Sequence, residues 1–319
     1  MNDDATINAW LNAAVQHHEA GEVNDARDYY MKVLDADPLN ERALQLAGLL
    51  CLQAGELDGA EGLLKAALEV NPESSTIPNH LGAIALQRGD LKSAAAFFEE
   101  SVKLNPTYLE AHFNLGVALR GLDDLTGAID ALEAAHRVDP DNDLVLQWCG
   151  MVCRELGELG EGAEFLVRAL QLNPDNLQAL QILGDIFVDL KEWREAEECL
   201  RKAVELDPKS PQLHGKLANM LYQQGRMEEA GIEFEVALAG APGDPSLTGG
   251  MALVKVSSGA LEEARVLADQ AIAADDTSIE AYFALAQMHK AAGDDAAAAS
   301  AAAKVRELAP DNAEYLQRL

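Results

Sequence analysis

The sequence predicts an all-α protein made of tandem pairs of helices. Ala, Leu and Glu are abundant and aromatic residues are only 5% of the 319 residues, a composition that favours helix over strand. Prolines recur at a spacing of 34 residues, with Asp276 in the place of one of them, which indicates a repeat. These prolines are Pro38, Pro72, Pro106, Pro140, Pro174, Pro208, Pro242 and Pro310.

Small residues recur at two positions of a 34-residue frame that starts at Ile7. The eighth position holds only Ala or Gly, from Ala14 and Gly48 to Ala286, and the twentieth does the same, from Ala26 to Ala298. Large apolar residues surround them at helical spacings of three and four. We therefore expect the two helices of each repeat to approach closely at the small positions. The large residues include Leu81, Leu115, Leu183 and Leu217 in first helices and Tyr30, Phe98, Leu132 and Phe234 in second helices.

The ends of the predicted helices carry equally regular signals. Seven of the nine residues at the fifteenth position are glycine, which favours a left-handed end to the first helix. An acidic residue usually follows, where it complements the positive end of the second helix. The last position predicts an N-cap for the next first helix. The predicted caps are Asn40, Ser74, Asn142, Asn176, Ser210, Asp244, Ser278 and Asn312.

The frame resembles the tetratricopeptide repeat, which has the same length and a proline near its end. The resemblance covers residues 7–312 without an insertion or deletion. It implies a single right-handed superhelical α-solenoid of nine helix-turn-helix repeats, with first helices lining a concave wall. We expect 313–319 to start a capping or further helix, and the chain to be part of something longer. The repeats are 7–40, 41–74, 75–108, 109–142, 143–176, 177–210, 211–244, 245–278 and 279–312.

The charge balance argues against two classes of partner. Fifty-four acidic and 24 basic residues give a formal net charge of -30, which repels phosphate backbones and anionic lipids. We therefore predict no nucleic acid and no membrane as partner. The bland explanation is that acidity keeps the protein soluble. The acidic start and the lack of a long apolar stretch predict a cytoplasmic protein. A bacterial source is implied only by the similarity in style to the glycosyltransferase arms named below.

No catalytic constellation is recognisable, so we predict a non-enzyme without cofactor or metal, and any catalytic domain would lie beyond Leu319. Cys149 and Cys153 are four residues apart and share a helix face. A redox pair or half a metal site is conceivable there, but small buried core residues fit this pattern better.

The resemblance implies that first-helix positions 2, 5, 9, 12 and 13 line the concave wall, with position 6 beside them. Over repeats two to six most of the residues named below are apolar, which on a solvent-lined face marks a binding groove for a peptide or an amphipathic helix. Arg120 and Arg154 are equivalent residues that would clamp a carboxylate or, alternatively, pair with local acids. The predicted site comprises Gln45, Leu49, Leu52, Asn79, Ala83, Leu86, Phe113, Asn114, Val117, Arg120, Gln147, Trp148, Met151, Arg154, Gln181 and Asp185, with Ile182 and Val188 beside them.

Repeat eight departs from the pattern. Gly249 and Gly250 lie inside its predicted first helix, where each glycine weakens the helix by ~1 kcal/mol relative to alanine. A hinge and a merely degenerate repeat are equal alternatives.

Three functions remain open. The first is a protein-interaction scaffold that binds a partner's segment with apolar anchors. The second is the substrate-recruiting arm of a bacterial protein glycosyltransferase, such as one acting on flagellin, because Phe113-Asn114-Leu115-Gly116 is similar in style to such arms. The third is a self-associating assembly scaffold.

Overall fold

A computed structural model describes residues 4–310, and within that range the chain is entirely helix and turn. The predicted cap Asn312 and the predicted helix at 313–319 lie outside the described residues. The helices are α1 (Asp4–Glu19), α2 (Val23–Ala36), α3 (Glu41–Gln53), α4 (Leu57–Val70), α5 (Thr76–Gln87), α6 (Leu91–Leu104), α7 (Leu109–Gly121), α8 (Leu125–Val138), α9 (Asp143–Leu156), α10 (Leu159–Leu172), α11 (Leu177–Asp189), α12 (Trp193–Leu206), α13 (Pro211–Gln223), α14 (Met227–Gly240), α15 (Pro245–Ser257), α16 (Leu261–Ala274), α17 (Ile279–Ala292) and α18 (Asp295–Leu308).

These helices alternate as first and second members of pairs, which confirms the predicted all-α class of helix-turn-helix repeats. The chain divides into two compact units, residues 1–172 and 173–319, which contain α1–α10 and α11–α18. Each unit is a series of helix pairs and is described by itself below. The single continuous stack over 7–312 stays a prediction.

The turn between the two helices of a repeat has the predicted left-handed residue. All seven glycines at the fifteenth position have a positive φ, between 75° and 83°. Asp123 and Lys191 hold the same position and also have positive φ, at 65° and 62°. The backbone requirement of the repeat is therefore stronger than the side-chain preference, and these two residues adopt a conformation that ordinarily favours glycine.

Five of the predicted caps are confirmed. Each accepts a hydrogen bond from the backbone N–H three residues later; these caps are Asn40, Asn142, Asn176, Ser210 and Asp244. The prediction is wrong for Ser74, because α5 starts one residue later and Ser75 precedes it. Ser75 makes no such bond because its partner would be Pro78, which has no N–H. Ser278 precedes α17 as predicted, but its side chain makes no capping bond.

In repeats two to six, the core contains a contact between the glycine at the eighth position and a large residue at the twenty-fourth position. An added Cβ on Gly82 would lie 2.5 Å from Phe98 Cε1, and one on Gly150 would lie 2.5 Å from Leu166 Cγ. Both large side chains are fully buried. Gly48, Gly116 and Gly184 meet Leu64, Leu132 and Leu200 in the same way. Only a glycine lets the helices of these repeats approach so closely.

Repeat eight uses its glycines differently. Its first helix α15 is continuous, and Gly249 and Gly250 are both buried. An added Cβ on Gly249 would lie 3.0 Å from the backbone nitrogen of Ala281 in α17. The glycine pair therefore has a packing role, in which it admits the first helix of repeat nine against α15. Whether this segment also acts as a hinge stays a prediction.

The left-handed residue Lys191 provides a direct stability test. Lys191→Gly is expected to stabilise the protein by about 0.5–1 kcal/mol, because glycine adopts this conformation without the clash of a Cβ. The measurement is the shift of the urea unfolding midpoint. Lys191→Ala removes the same charge but keeps the Cβ, and should give no such gain. Equal midpoints for the glycine and alanine variants would contradict the claim that a Cβ strains the backbone at residue 191.

Candidate functional site

The predicted wall residues of the first unit lie along one face of α3, α5, α7 and α9. Most of their side chains are half-buried, so they pack against neighbours and still present a surface. Asn79 and Gln147 are exceptions, because each is only 4% exposed. The half-buried residues are Gln45, Leu49, Leu52, Ala83, Leu86, Phe113, Asn114, Val117, Arg120, Trp148, Met151 and Arg154.

An aromatic pair forms the most distinctive part of this face. Phe113 from α7 and Trp148 from α9 are 5.6 Å apart between ring centroids and meet edge to face. This is a favourable arrangement for aromatic rings, and both rings also rest on the core of repeats four and five. The spacing in the sequence predicts that these two residues share a face, but it does not predict their contact.

Arg120 is tied to this pair and to an acid. Its guanidinium carbon lies 5.7 Å from the Trp148 ring centroid. The same group donates to both carboxylate oxygens of Glu155 over 2.6–3.1 Å, which raises the Arg120 pKa above its ordinary value. Of the two predicted roles for Arg120, pairing with a local acid is therefore the one that is formed. Arg154 is half-buried at the equivalent position.

Several amides predicted to bind a ligand backbone already bond to side chains of the protein. Gln45 donates to the Thr76 hydroxyl over 2.7 Å. Asn79 accepts from Asn114 over 3.0 Å and donates weakly to the Tyr108 hydroxyl at 3.4 Å. Tyr108 in turn donates to Glu110 over 3.0 Å. These bonds fix the spacing of α5 and α7, so the amides support the wall more than they offer it to a ligand.

A shallow pocket of about 300 Å³ opens beside the aromatic pair, at the start of α7 and α9. Leu144 lies at its edge and is 47% exposed. The site predicted from the sequence names residues at positions 5, 6, 9 and 12 and none at position 2, although position 2 belongs to the wall that the resemblance implies, so it misses this pocket. The available signal is that Leu144 is the one apolar residue at the second position of the nine frames. The pocket is lined by Leu109, Glu110, Phe113, Asn114, Asn142, Leu144 and Val145.

In the second unit the corresponding wall is open at its start and closed further along. Gln181, Ile182, Asp185 and Val188 on α11 are half-buried, and Asp185 accepts a 2.6 Å ion-pair hydrogen bond from Lys216. The wall residues Leu253 of α15 and Phe283 of α17 are at most 3% exposed. The close approach of α17 to Gly249 explains why their side chains are covered.

Glu280 lies in this closed region. Its Cβ is the nearest neighbour of an added Cβ on Gly249, and Ser246 donates to its carboxylate over 3.3 Å. Burial between the helices raises the pKa of Glu280 above its ordinary 4.5, and Asp244 and Asp275 add to the effect. The charged form is therefore disfavoured in the folded protein.

The cysteine pair of α9 is part of the core. Cys149 and Cys153 are both buried free thiols. Burial raises the pKa of each to about 12, so both are protonated near neutral pH. A protonated, covered thiol is a poor nucleophile and a poor metal ligand. The geometry thus fits the core interpretation rather than the redox or metal one.

The helix pairs, the left-handed turn residue and the small-against-large packing define a class of protein. This chain is a tetratricopeptide repeat protein. Residues 39–249, about two thirds of the chain, match the family model described as the C-terminal domain of cilia and flagella-associated protein 70. The chain belongs to that family. A comparison with curated proteins finds no match.

Solved structures support the same fold. A tetratricopeptide repeat protein from Parabacteroides merdae is similar with a TM-score of 0.65 and 20% identity, over 76% of this chain and 96% of that one. The Pseudomonas aeruginosa pilF protein gives 0.51 and 20%, over 77% and 97%. YrrB, described as a tetratricopeptide repeat protein with an unusual peptide-binding site, gives 0.51 and 20%, over 56% and 92%. At these identities the likeness concerns the fold alone.

The class is consistent with a protein-interaction scaffold and is typically non-catalytic. Among the described helices, none combines the length and the apolar character needed to span a bilayer.

The half-buried Glu280 gives a pH-dependent prediction. Because its folded pKa is raised, its ionisation destabilises the folded state at neutral pH, and this penalty disappears below the unfolded pKa. Glu280→Gln should therefore raise the melting temperature at pH 7 and give little advantage near pH 4. The measurement is thermal unfolding over this pH range.

The control is Glu205→Gln, which makes the same charge change at an exposed position of the same unit. If both variants raised the melting temperature equally at pH 7, the gain could not be assigned to desolvation of the Glu280 carboxylate.

Proposed function

We propose that this protein is a non-catalytic scaffold that binds a helical or extended segment of a partner protein on the first-helix wall of its first unit. The observation that carries the proposal is the half-buried aromatic pair Phe113 and Trp148, which lies beside the pocket with Leu144 at its edge. Aromatic residues of this kind dominate binding energy in protein interfaces. Met151 continues the apolar surface along α9 and adapts to different side chains.

The chemistry of the wall specifies the kind of segment it accepts. Its apolar residues call for apolar anchors on the partner, spaced as on one face of a helix. Most of its amide side chains already hydrogen-bond to other side chains of the protein. Hydrogen bonds to a ligand backbone therefore contribute less than the sequence alone predicts. The excess of acidic residues favours a neutral or basic partner over an acidic one.

Some of the predicted site falls outside this proposal. Gln181 and Asp185 belong to the second unit, and their part in the same groove stays a prediction. Arg120 holds Glu155 and supports Trp148, so we assign it to positioning of the ring rather than to a ligand carboxylate.

The test uses peptides selected from a displayed peptide library against the intact chain. Phe113→Ala combined with Met151→Ala should weaken binding of a selected apolar peptide at least about tenfold, because it removes central anchors. The measurement is the dissociation constant by fluorescence anisotropy, with helicity checked by circular dichroism.

The matched control is Met31→Ala, which truncates a 50% exposed apolar residue on a second helix of the same unit. It should leave binding unchanged. Undiminished binding in the Phe113 and Met151 double variant would refute the proposed wall.

A further inference from the structure

The outward faces of two second helices in the second unit carry apolar residues where the other repeats do not. Ile232 of α14 and Val266 of α16 both occupy the twenty-second position of their frames and are 60% and 55% exposed. Val236 lies one turn after Ile232 and is 44% exposed. At the twenty-second position the other repeats have Asp28, Gly62, Ala96, Asp130, Glu164, Glu198 and Ser300.

These three side chains do not serve the core of their own unit. The buried residues of α14 are Ala230, Phe234 and Ala237, which lie on the opposite side of the helix. Ile232, Val236 and Val266 are absent from the core cluster that holds this unit together and from the residues packed against it. Large exposed apolar side chains that add nothing to a core and lie at matching positions of two successive repeats indicate an interaction surface.

Beyond α11, the first helices of this unit offer little large apolar surface. In repeats eight and nine, the wall residues Leu253 and Phe283 are at most 3% exposed. The exposed large apolar residues of repeats seven and eight are on their second helices. This distribution is the reverse of that in the first unit, where the aromatic pair lies on the first helices.

Charge around the apolar residues selects the occupant. Glu228 and Glu235 share the exposed face of α14 with Ile232 and Val236, at spacings of three to four residues. On α16, Glu262 and Asp269 flank Val266 in the same way, and exposed Arg265 lies 3.8 Å from the Asp269 carboxylate, so acids outnumber bases around these residues by four to one. A second copy of this chain, with a net charge of -30, would be repelled, as would nucleic acid or an anionic lipid surface.

We propose that the outer face of α14 and α16, defined by Ile232, Val236 and Val266, binds a basic amphipathic helix of a partner protein. The apolar stripe of that helix would cover the three aliphatic side chains, and its lysines or arginines would face the surrounding carboxylates. This surface is separate from the first-helix wall of the proposed function and does not depend on it.

The test uses a designed, fluorescein-labelled peptide of about 18 residues, long enough to form helix when its apolar face is covered. Leucines form one stripe and lysines fill the remaining positions. One control peptide has the same composition with dispersed leucines, and another replaces each lysine with glutamate. Binding to the intact chain is measured by anisotropy over a range of salt concentrations.

The decisive variant is Ile232→Ser with Val266→Ser. It introduces at both sites the residue that repeat nine has at this position, Ser300. It should weaken binding of the striped basic peptide at least about tenfold. Met31→Ser, at another exposed apolar residue, should leave binding unchanged. In a chain that also has the Phe113→Ala and Met151→Ala changes, which remove the anchors of the first-helix wall, the serine pair should still weaken binding by the same factor. Glu228→Gln with Glu262→Gln should reduce the salt dependence of binding.

Several results would overturn the proposal. Equal binding of the dispersed peptide would show attraction by charge alone. Loss of binding in the Phe113 and Met151 pair, but not in the serine pair, would place the peptide on the first-helix wall. Absence of binding would also refute the proposal. So would a dimer in sedimentation that the serine pair abolishes, because a second copy of the chain would then cover this face. Failure of the binding test for the first-helix wall would leave the proposal for the outer face of α14 and α16 unaffected.

Discussion

The structure depends on one contact that is repeated along the chain, a large side chain of the second helix resting on a small residue of the first. Phe98 on Gly82 and Leu166 on Gly150 are two instances, and in both there is no room for a methyl group. A helix pair of this length cannot be stable alone, because its apolar face needs a neighbour. This close contact gives repeats two to six nearly the same shape, and repeats of the same shape can stack on one another.

The same constraint decides where the first helices present a surface. In repeats three to five the small residue lies at the eighth position, and residues at positions 6 and 9 remain half-buried, as Trp148 and Met151 do. In repeat eight two further glycines occupy positions 5 and 6, and α17 packs directly against Gly249. Leu253 of the wall is covered there, and half-buried Glu280 has a raised pKa. Additional small residues at positions 5 and 6 thus change an open face into a core.

Most of the fold could be predicted from the sequence, because the repeat restates each signal many times. The left-handed turn at the fifteenth position holds even at Asp123 and Lys191, where the residue type alone gives no indication. The start of α5 is one residue later than the frame predicts, and Pro78 leaves Ser75 without the N–H that a cap would use. The candidate site was harder. The spacing in the sequence assigns Asn79 and Phe113 to the same face. Only the packing shows that Asn79 accepts a hydrogen bond from Asn114, while Phe113 contacts Trp148.

Two glycine substitutions test the central contact most directly. Gly82→Ala should destabilise the protein by roughly 1–3 kcal/mol, because the methyl group meets the Phe98 ring. Gly62→Ala, in the interior of α4 with no atom near an added Cβ, should stabilise it by about 0.5–1 kcal/mol. The measurement is urea unfolding of both variants beside the parent chain. Opposite signs are the predicted result, and a Gly82→Ala variant as stable as Gly62→Ala would contradict the account.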